Sequence, residues 1–362
     1  MVTQLIPEQY MFLSDAQAIE RITESRKQLG RELLVLGHHY QRDEVIQFAD
    51  LRGDSFGLSR KASENKEARY IVFCGVHFMA ESACILSAPH QKVILPDLEA
   101  GCSMADMADI DQVEEARDNI ESVLGKEKII PIAYINCTAA VKAFCGDLGG
   151  TVCTSSNASA VIDWGFKQRE KIFFLPDEHL GRNMGYLKGI PLEQLVLWDP
   201  SEKMGGLTRE QIQNARIILW KGYCQVHQRF AVEQIEYFRK KFPDMKIIVH
   251  PECSLDVVQR SDYAGSTSYI IDMVQKSGAG TKWAIGTEIH LVNRLRNENP
   301  DKLITSLVPG VCLCSTMNRI DPQHLLWVLD QLLLGNIVNE IRVPQDTARK
   351  ARLALDRMLS IS

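Results

Sequence analysis

Short apolar runs alternate with helical segments along almost the whole chain, and this alternation limits the possible folds more than any other feature. The runs span residues 33–36, 70–73, 92–95, 129–135, 151–154, 171–175, 195–198, 215–220, 246–249, 282–285 and 302–308. Helical patterns cover 15–29 (after a possible cap at Ser14), 111–124, 231–241, 269–275, 324–334 and 347–359. Strands that alternate with helices predict an α/β fold with parallel sheets.

The runs fall into three groups, which are separated near residues 112–127 and 200–214. We therefore predict three α/β domains: 1–113 with the N-terminal helix, 114–204, and 205–362 with the C-terminal helices. The run at 215–220 is assigned to the third group. A barrel of eight strands with additional strands is the alternative. The number of runs exceeds eight, and their grouping favours three separate sheets.

Composition excludes several classes of protein. Opposite charges are interspersed, the net charge is −5, and no dense Lys/Arg stripe is present, so nucleic acid is not an expected partner. No apolar stretch approaches the roughly 20 residues of a membrane helix, and the N-terminus lacks the pattern of a secretory signal. We expect a cytoplasmic protein without membrane contact. Its ten cysteines are then expected to be reduced thiols.

Four apolar runs end in polar turns that carry a cysteine, at Cys102, Cys224, Cys253 and Cys314. Ligands bind at the carboxyl ends of strands in open α/β sheets, so distant thiols are expected to gather around one soft metal centre. No Cys-x2-Cys pair or ferredoxin spacing occurs. Three separated thiolates, one from each sheet group, suit a 4Fe-4S cluster with one iron open. Three cysteines on zinc would also leave one position open, so the count does not decide between them.

Three hydroxyl-rich loops at 53–55, 154–158 and 265–268 stand at strand ends or helix starts. Such loops bind anions at helix N-termini, although helix capping alone accounts for each loop taken singly. Together they suit a small substrate with several carboxylate or phosphate groups. Neither a P-loop nor a Gly-x-Gly-x-x-Gly fingerprint is present.

Polar side chains that suit acid–base chemistry follow several runs. The sequence His250-Pro251-Glu252-Cys253 places an imidazole, a carboxylate and a thiol within four residues, and Glu252 is a candidate general acid or base. Tyr134 and Asn136 alternate along one strand end and therefore share a face. His38 ends the first run, where a proton shuttle and a structural hydrogen bond are equally plausible roles.

Taken together, these motifs resemble those of the quinolinate synthase family in its longer bacterial form. The resemblance runs from about residue 30 to 320 and rests on the segments 37–41 (GHHYQ), 53–55 (GDS), 97–107 (DLEAGCSMADM), 134–136 (YIN), 154–158 (TSSNA), 175–177 (LPD), 250–253 (HPEC) and 265–267 (GST).

The resemblance implies a fold and a reaction. The fold is three similar three-layer αβα domains with small parallel sheets around a pseudo-threefold axis, with the active site at the centre. Each domain gives one cysteine to a 4Fe-4S cluster, whose open iron acts as a Lewis acid. The enzyme, a condensing and dehydrating transferase, makes quinolinate, phosphate and water from iminoaspartate and dihydroxyacetone phosphate in de novo NAD biosynthesis. A transient contact with L-aspartate oxidase is also implied.

The resemblance further assigns site residues. The cluster ligands would be Cys102, Cys224 and Cys314; a match to Cys-x-x-Met at 314–317 selects Cys314, whereas counting to Asn318 selects Cys312. Glu252, His38 and Tyr40 would move protons. The substrate-binding residues would be His38, Ser55, Tyr134, Ile135, Asn136, Ser155, His250, Pro251, Glu252 and Thr267.

Two rival functions remain open from the sequence. The same thiols could serve a zinc-dependent enzyme with a polar substrate. A non-catalytic iron–sulfur redox sensor would need a DNA- or partner-binding element, and no helix-turn-helix segment with a basic face is recognisable. The hydroxyl-rich loops and Glu252 favour an enzyme.

Overall fold

The computed structural model describes residues 6–308, 310 and 312–361. Its strands are β1 Leu33–His38, β2 Leu51–Gly53, β3 Tyr70–Cys74, β4 Lys92–Ile94, β5 Ile129–Tyr134, β6 Thr151–Cys153, β7 Lys171–Leu175, β8 Leu195–Trp198, β9 Ile217–Trp220, β10 Lys246–Val249, β11 Tyr263–Ala264, β12 Lys282–Gly286 and β13 Leu303–Ser306. Where these strands pair with one another, they run parallel.

The α-helices connect and cover the strands. They are α1 Glu8–Met11, α2 Asp15–Leu29, α3 Asp43–Ile46, α4 Ser55–Glu64, α5 His77–Leu86, α6 Ser103–Asp106, α7 Ile110–Leu124, α8 Ala139–Asp147, α9 Ala158–Gln168, α10 Glu178–Leu187, α11 Arg209–Asn214, α12 Val232–Lys241, α13 Leu255–Arg260, α14 Thr267–Lys276, α15 Ile289–Glu298, α16 Pro322–Leu333 and α17 Gln345–Ser360. The predicted cap is confirmed, because the hydroxyl of Ser14 accepts a hydrogen bond from the Gln17 backbone N–H.

The strands form three sheets, in the orders β2-β1-β3-β4, β6-β5-β7-β9-β8 and β11-β10-β12-β13. Every residue of β1, β3 and β5 is buried, which is the pattern expected when helices cover both faces of a parallel sheet. The predicted α/β fold with three small parallel sheets is confirmed, and the barrel alternative is excluded.

One strand belongs to a different sheet from the one predicted. We assigned the run at 215–220 to the third group, whereas β9 pairs with β7 and β8 in the second sheet. Sequence order alone misled the assignment, because α11 returns the chain after β8 to the same sheet. The two short strands β2 and β11 were not predicted, since three and two residues carry too little periodicity.

The chain forms two compact units. The N-terminal unit comprises residues up to Cys102 together with Leu313–Pro344, and it contains the first sheet. The central unit comprises Ser103–Cys312 and the residues from Gln345 onward, and it contains the second and third sheets. The predicted boundaries near residues 113 and 204 are not tested by this division and stay a prediction.

The last two helices of the chain pack on different units. Helix α16 packs against α2 in the N-terminal unit, and α17 packs against α8 in the central unit. The second contact is close, because a Cβ at Gly146 would lie 2.0 Å from the carbonyl oxygen of Lys350. Within the described part of the chain, no helix combines the length and the apolarity needed to cross a membrane.

Candidate active site

Several predicted site residues of the central unit stand at the carboxyl ends of its strands. Tyr134 is the last residue of β5, Ser155 follows β6, and His250 and Glu252 follow β10. Because the strands of each sheet are parallel, these residues lie at the edge where α/β proteins bind ligands. The buried apolar strands therefore position these polar side chains at the carboxyl-terminal edges of the sheets.

The Glu252 carboxylate is the centre of a buried hydrogen-bonded group. The residue is 2% exposed. Its Oε1 accepts a hydrogen bond from the Tyr134 hydroxyl at 2.6 Å, and its Oε2 accepts one from Nδ1 of His227 at 2.9 Å. Nδ1 of His250 lies 3.6 Å from Oε1. The structure thus brings together Glu252, Tyr134 and His250, and their role in substrate binding or catalysis stays a prediction.

The surroundings of Glu252 keep its carboxylate ionised. Burial alone would raise the pKa of this carboxyl. The neighbouring imidazoles of His227 and His250, with the hydrogen bonds from His227 and Tyr134, outweigh burial and lower the pKa to about 2. The group therefore accepts hydrogen bonds as a carboxylate at neutral pH.

His227 is the member of this buried group that the sequence analysis did not select. It is 2% exposed, and its ring stacks on that of His250 with centroids 4.5 Å apart and an interplanar angle of 17°. Its Nε2 lies 3.5 Å from Oγ1 of Thr287, which follows β12. The signal was present as a Cys-x2-His spacing from Cys224, directly after an apolar run.

His250 connects Glu252 to a hydroxyl-rich loop. Its Nε2 lies 3.2 Å from Oγ of Ser155, and its Nδ1 accepts the backbone N–H of Glu252 at 3.4 Å. In the other hydroxyl-rich loops, Asp54 caps α4 and Ser266 caps α14. The capping interpretation is therefore confirmed for those two loops, whereas Ser155 contacts a candidate catalytic group.

The remaining predicted residues of the central unit occupy the same strand ends. Asn136 follows β5, and its Oδ1 is buried with no hydrogen-bond partner among the described residues. Thr267 is the first residue of α14 and is buried. The side chain of Ile135 is buried, and the carbonyl of Pro251 accepts a hydrogen bond from Asn183. The predicted substrate contacts of Ile135 and Pro251 stay a prediction.

A second buried carboxyl interacts electrostatically with Glu252. Asp177 follows β7 and caps α10 by accepting the Leu180 N–H at 2.7 Å on Oδ1, whereas its Oδ2 is buried and has no hydrogen-bond partner in the described structure. Burial and the charge of Glu252 hold the pKa of Asp177 well above its ordinary value. The pKa values of these two buried carboxyls are therefore shifted in opposite directions.

The N-terminal unit holds the other predicted substrate residues. His38 ends β1, and its Nδ1 accepts the Tyr40 backbone N–H at 3.1 Å while its ring meets that of Tyr40 edge to face at 4.8 Å. Ser55 begins α4. The structure thus groups His38 with Tyr40, and a shared role with Glu252 stays a prediction.

The cysteines separate into two classes by exposure. Cys84, Cys102, Cys224 and Cys314 are partly exposed, whereas Cys312 is fully buried and its Sγ donates to the carbonyl oxygen of Val226 at 3.3 Å. Burial raises the pKa of the thiols at Cys74, Cys84, Cys145, Cys153 and Cys253. The three predicted ligands thus avoid full burial, which suits thiolates that bind a metal.

One group of side chains in the central unit could hold a single metal ion. The ligand atoms of Cys224, His227 and Glu252 all lie within 4.8 Å of one another. Sulfur, imidazole and carboxylate ligands together are typical of zinc and of other transition metals.

Comparison with known proteins agrees with the motifs. The family described as quinolinate synthetase A protein matches residues 20–360. A quinolinate synthase of Anoxybacillus flavithermus is 56% identical over 356 residues, which cover 98% of this chain and 96% of the relative. A quinolinate synthase of a Geobacillus species is 54% identical over 358 residues, which cover 99% of this chain and 97% of the relative. One of Herpetosiphon aurantiacus is 53% identical over 358 residues, which cover 98% of this chain and 95% of the relative. This chain belongs to the quinolinate synthetase A protein family.

Proposed function

We propose that this protein is a quinolinate synthase, which condenses iminoaspartate with dihydroxyacetone phosphate and releases quinolinate, phosphate and water in NAD biosynthesis. Family membership supports the reaction. The observation that carries the proposal is the buried Glu252 carboxylate, held by Tyr134 and His227 at the ligand-binding edge of the sheets. A rigid, water-poor carboxylate of this kind suits repeated proton transfer.

Glu252 is the proposed proton-transfer group. In the free protein its pKa of about 2 makes it a weak base. The carboxylates and the phosphate of the substrates are anionic, and like charges disfavour the ionised form, so substrate binding raises the pKa of Glu252. Its oxygens can then take a proton from a substrate carbon during isomerisation and return it during dehydration.

Other residues of the central unit are proposed to orient the substrates. The Oδ1 atom of Asn136 has no partner among the described residues and can accept a substrate N–H. Ser155 and His250 offer a hydroxyl and an imidazole that are already hydrogen-bonded to each other. Thr267 starts α14, where backbone N–H groups and a hydroxyl favour an anion.

Residues of the N-terminal unit complete the proposed substrate set. His38 offers an imidazole next to the Tyr40 hydroxyl, and the two are proposed to assist proton transfer. Ser55 stands at the first residue of α4, where it is proposed to contact phosphate or carboxylate oxygens. A transient contact with L-aspartate oxidase, as the source of iminoaspartate, belongs to the same proposal.

The cofactor of this proposal is one 4Fe-4S cluster on Cys102, Cys224 and Cys314. The donor set suits it, because these thiols are partly exposed while Cys312 is buried and hydrogen-bonded. When bound, such a cluster supplies an iron with no protein ligand, which serves as a Lewis acid for a substrate oxygen. The residues around Glu252 supply the proton transfers.

A turnover assay tests the proposed function. The oxygen-free protein is mixed with dihydroxyacetone phosphate, aspartate and an aspartate oxidase, and quinolinate is measured by mass spectrometry. We expect quinolinate only when both substrates are present. No quinolinate from protein with a complete iron and sulfide content would contradict the proposal.

A zinc-dependent enzyme is the second candidate, and the mutual distances of Cys224, His227 and Glu252 favour it. Metal analysis separates the two functions. Iron with an equal amount of sulfide supports the cluster, whereas zinc alone supports the mononuclear site. The same measurement on a Cys102→Ser variant sharpens the distinction, since the zinc site does not use Cys102.

A further inference from the structure

Three consecutive backbone carbonyls around Glu252 are held by side-chain amides. Nδ2 of Asn183 donates to the carbonyl oxygens of Pro251 and Cys253, each at 2.8 Å, and Nε2 of Gln228 donates to that of Glu252 at 2.9 Å. The segment after β10 is a turn, so these carbonyls have no strand partner and need other donors. The two amides supply them.

The orientation of the Asn183 amide is fixed by these contacts. Asn183 is 1% exposed, and its Oδ1 has no hydrogen-bond partner among the described residues. A flipped amide would point an oxygen at two carbonyl oxygens, so only the observed orientation satisfies the turn. A buried amide that leaves its own oxygen unpaired is unfavourable, which indicates that its two donated bonds matter.

Gln228 belongs to a turn that contacts Glu252 twice. The carbonyl of Cys224 accepts the backbone N–H groups of His227 and Gln228, which begins this turn. His227 then donates to the carboxylate of Glu252, and Gln228 donates to its carbonyl. Both the side chain and the backbone of Glu252 are therefore held by the segment that starts at Cys224.

We propose that Asn183 and Gln228 are positioning residues, which fix the backbone of Glu252 so that its carboxylate stays in place for proton transfer. The inference rests on the proposed function, because it assigns a role through Glu252. Neither side chain needs to contact substrate. A carboxylate that moves by about 1 Å loses on the order of a hundredfold in rate, so removing the donors lowers kcat.

Asn183→Ala tests the role of the buried amide. We expect kcat for quinolinate formation to fall about 10- to 100-fold, with KM for either substrate changed less than about threefold. The decisive readout is a double-mutant cycle with Glu252→Gln. If Asn183 acts through Glu252, the double variant retains the residual rate of Glu252→Gln within about twofold, because a coupled residue has nothing further to remove.

Asn299→Ala is the matched control. Asn299 is also a buried asparagine of the central unit, and its Nδ2 holds a single carbonyl, that of Leu295, at 2.8 Å. We expect this variant to lose thermal stability and to keep the wild-type kcat. Two outcomes would overturn the proposal. One is that Asn183→Ala lowers kcat by the same factor in the Glu252→Gln variant as in the wild type. The other is that Asn183→Ala leaves the wild-type kcat unchanged.

Gln228→Ala keeps the inference testable if Asn183→Ala does not fold. Gln228 is only partly buried, so water can replace its donor, and we expect a smaller loss of about 3- to 10-fold in kcat. As for Asn183→Ala, we expect no further loss of kcat when Gln228→Ala is combined with Glu252→Gln. Activity of the wild-type enzyme separates the proposed function from the positioning role. If the wild type makes no quinolinate, the proposed function fails. If it does, the kinetics of the variants decide whether Asn183 and Gln228 are positioning residues.

Discussion

Two buried carboxyls of the central unit differ because their hydrogen-bond partners differ. Glu252 has a phenol and an imidazole as donors, whereas Asp177 has backbone N–H donors, among them that of Leu180 on Oδ1, and no described partner on Oδ2. A buried charge is tolerated only where donors or opposite charges match it. The pKa of Glu252 is therefore lowered, and that of Asp177 is raised.

Glu252→Gln should remove most of the activity and leave the cofactor in place. Glutamine is nearly isosteric but cannot take a proton, so we expect kcat to fall by about 10²- to 10⁴-fold. Iron and sulfide contents should stay at the wild-type level, since the change leaves all ten cysteines intact. Steady-state kinetics and metal analysis of the same preparation measure both effects.

The matched control is Glu340→Gln, which neutralises a carboxyl that pairs with Lys92 at 2.9 Å in the N-terminal unit. We expect wild-type kcat for that variant. A near-normal rate for Glu252→Gln, or an equal loss in both variants, would remove Glu252 from the chemistry.

Asp177→Asn should gain stability relative to wild type as the pH rises. The pKa of Asp177 is raised on folding, so its stabilising effect is present below its unfolded pKa of about 4 and is lost as pH rises towards the folded pKa. Asparagine resembles the protonated acid and still caps a helix. Thermal unfolding at pH 5, 6.5 and 8 should show a growing difference in Tm.

Asp199→Asn provides a control of opposite sign. Hydrogen bonds from Lys221 and Ser201 lower the pKa of Asp199 to about 2. Its stabilising effect is present above the unfolded pKa, so the asparagine variant should lose Tm relative to wild type as pH rises from about 3 to 5. A Tm difference between Asp177→Asn and wild type that does not grow with pH would contradict the raised pKa of Asp177.

At the scale of elements, the strands and their polar ends were predictable and the contacts between loops were not. Apolar periodicity located β1, β5 and β10, and hence placed Tyr134 and His250 at strand ends. His227 lies in a short turn without such periodicity, and its role depends on a contact with a residue 25 positions away. Sequence patterns report local structure, so a loop-to-loop hydrogen bond leaves no periodic signal.

The sheet to which β9 belongs shows the same limit. The four apolar residues of β9 predict a strand but do not identify its neighbours, because the apolar runs of the second and third groups are alike in length and composition. In the structure, α11 connects β8 to β9, and β9 pairs with both β7 and β8. The length of the segment between β8 and β9 was visible in the sequence. The sheet to which that segment leads the chain was not.

Gly146→Ala should destabilise the contact between α8 and α17. The added Cβ would lie 2.0 Å from the Lys350 carbonyl oxygen and 3.2 Å from the Ala354 nitrogen, and backbone atoms cannot move aside as a flexible side chain does. Overpacking of this kind costs about 1–3 kcal/mol or more. Urea unfolding of the variant should give a lower midpoint, and limited proteolysis should cut near α17 first.

Gly57→Ala is the corresponding control within α4. Among the described atoms, its Cβ would meet only the Asp54 carboxylate oxygen, at an ordinary 3.4 Å. Alanine in a helix reduces the freedom of the unfolded chain, so we expect stability to be unchanged or higher by up to about 1 kcal/mol. A Gly146→Ala midpoint equal to that of Gly57→Ala would show that α17 does not depend on this close packing.

At the scale of the whole molecule, chain order and packing do not coincide. The segment Leu313–Pro344 belongs to the N-terminal unit, although more than two hundred residues separate it from Cys102. Neighbouring cysteines in sequence, Cys312 and Cys314, therefore belong to different units. Cys102 belongs to the same unit as Cys314, and Cys224 to the same unit as Cys312.

The choice between Cys314 and Cys312 gives the last prediction. Cys312 is fully buried and its thiol donates to the Val226 carbonyl, so Cys312→Ser should keep iron and sulfide and lose some thermal stability. Cys314 is partly exposed, and its Sγ lies 3.5 Å from the Thr316 hydroxyl. Because a serine oxygen is a poor ligand for iron in such a cluster, Cys314→Ser should lose the cluster and all turnover, as Cys102→Ser and Cys224→Ser should. Iron and sulfide analysis of the four variants after anaerobic reconstitution measures this. A complete cluster in Cys314→Ser together with its loss in Cys312→Ser would show that the third ligand is the buried Cys312.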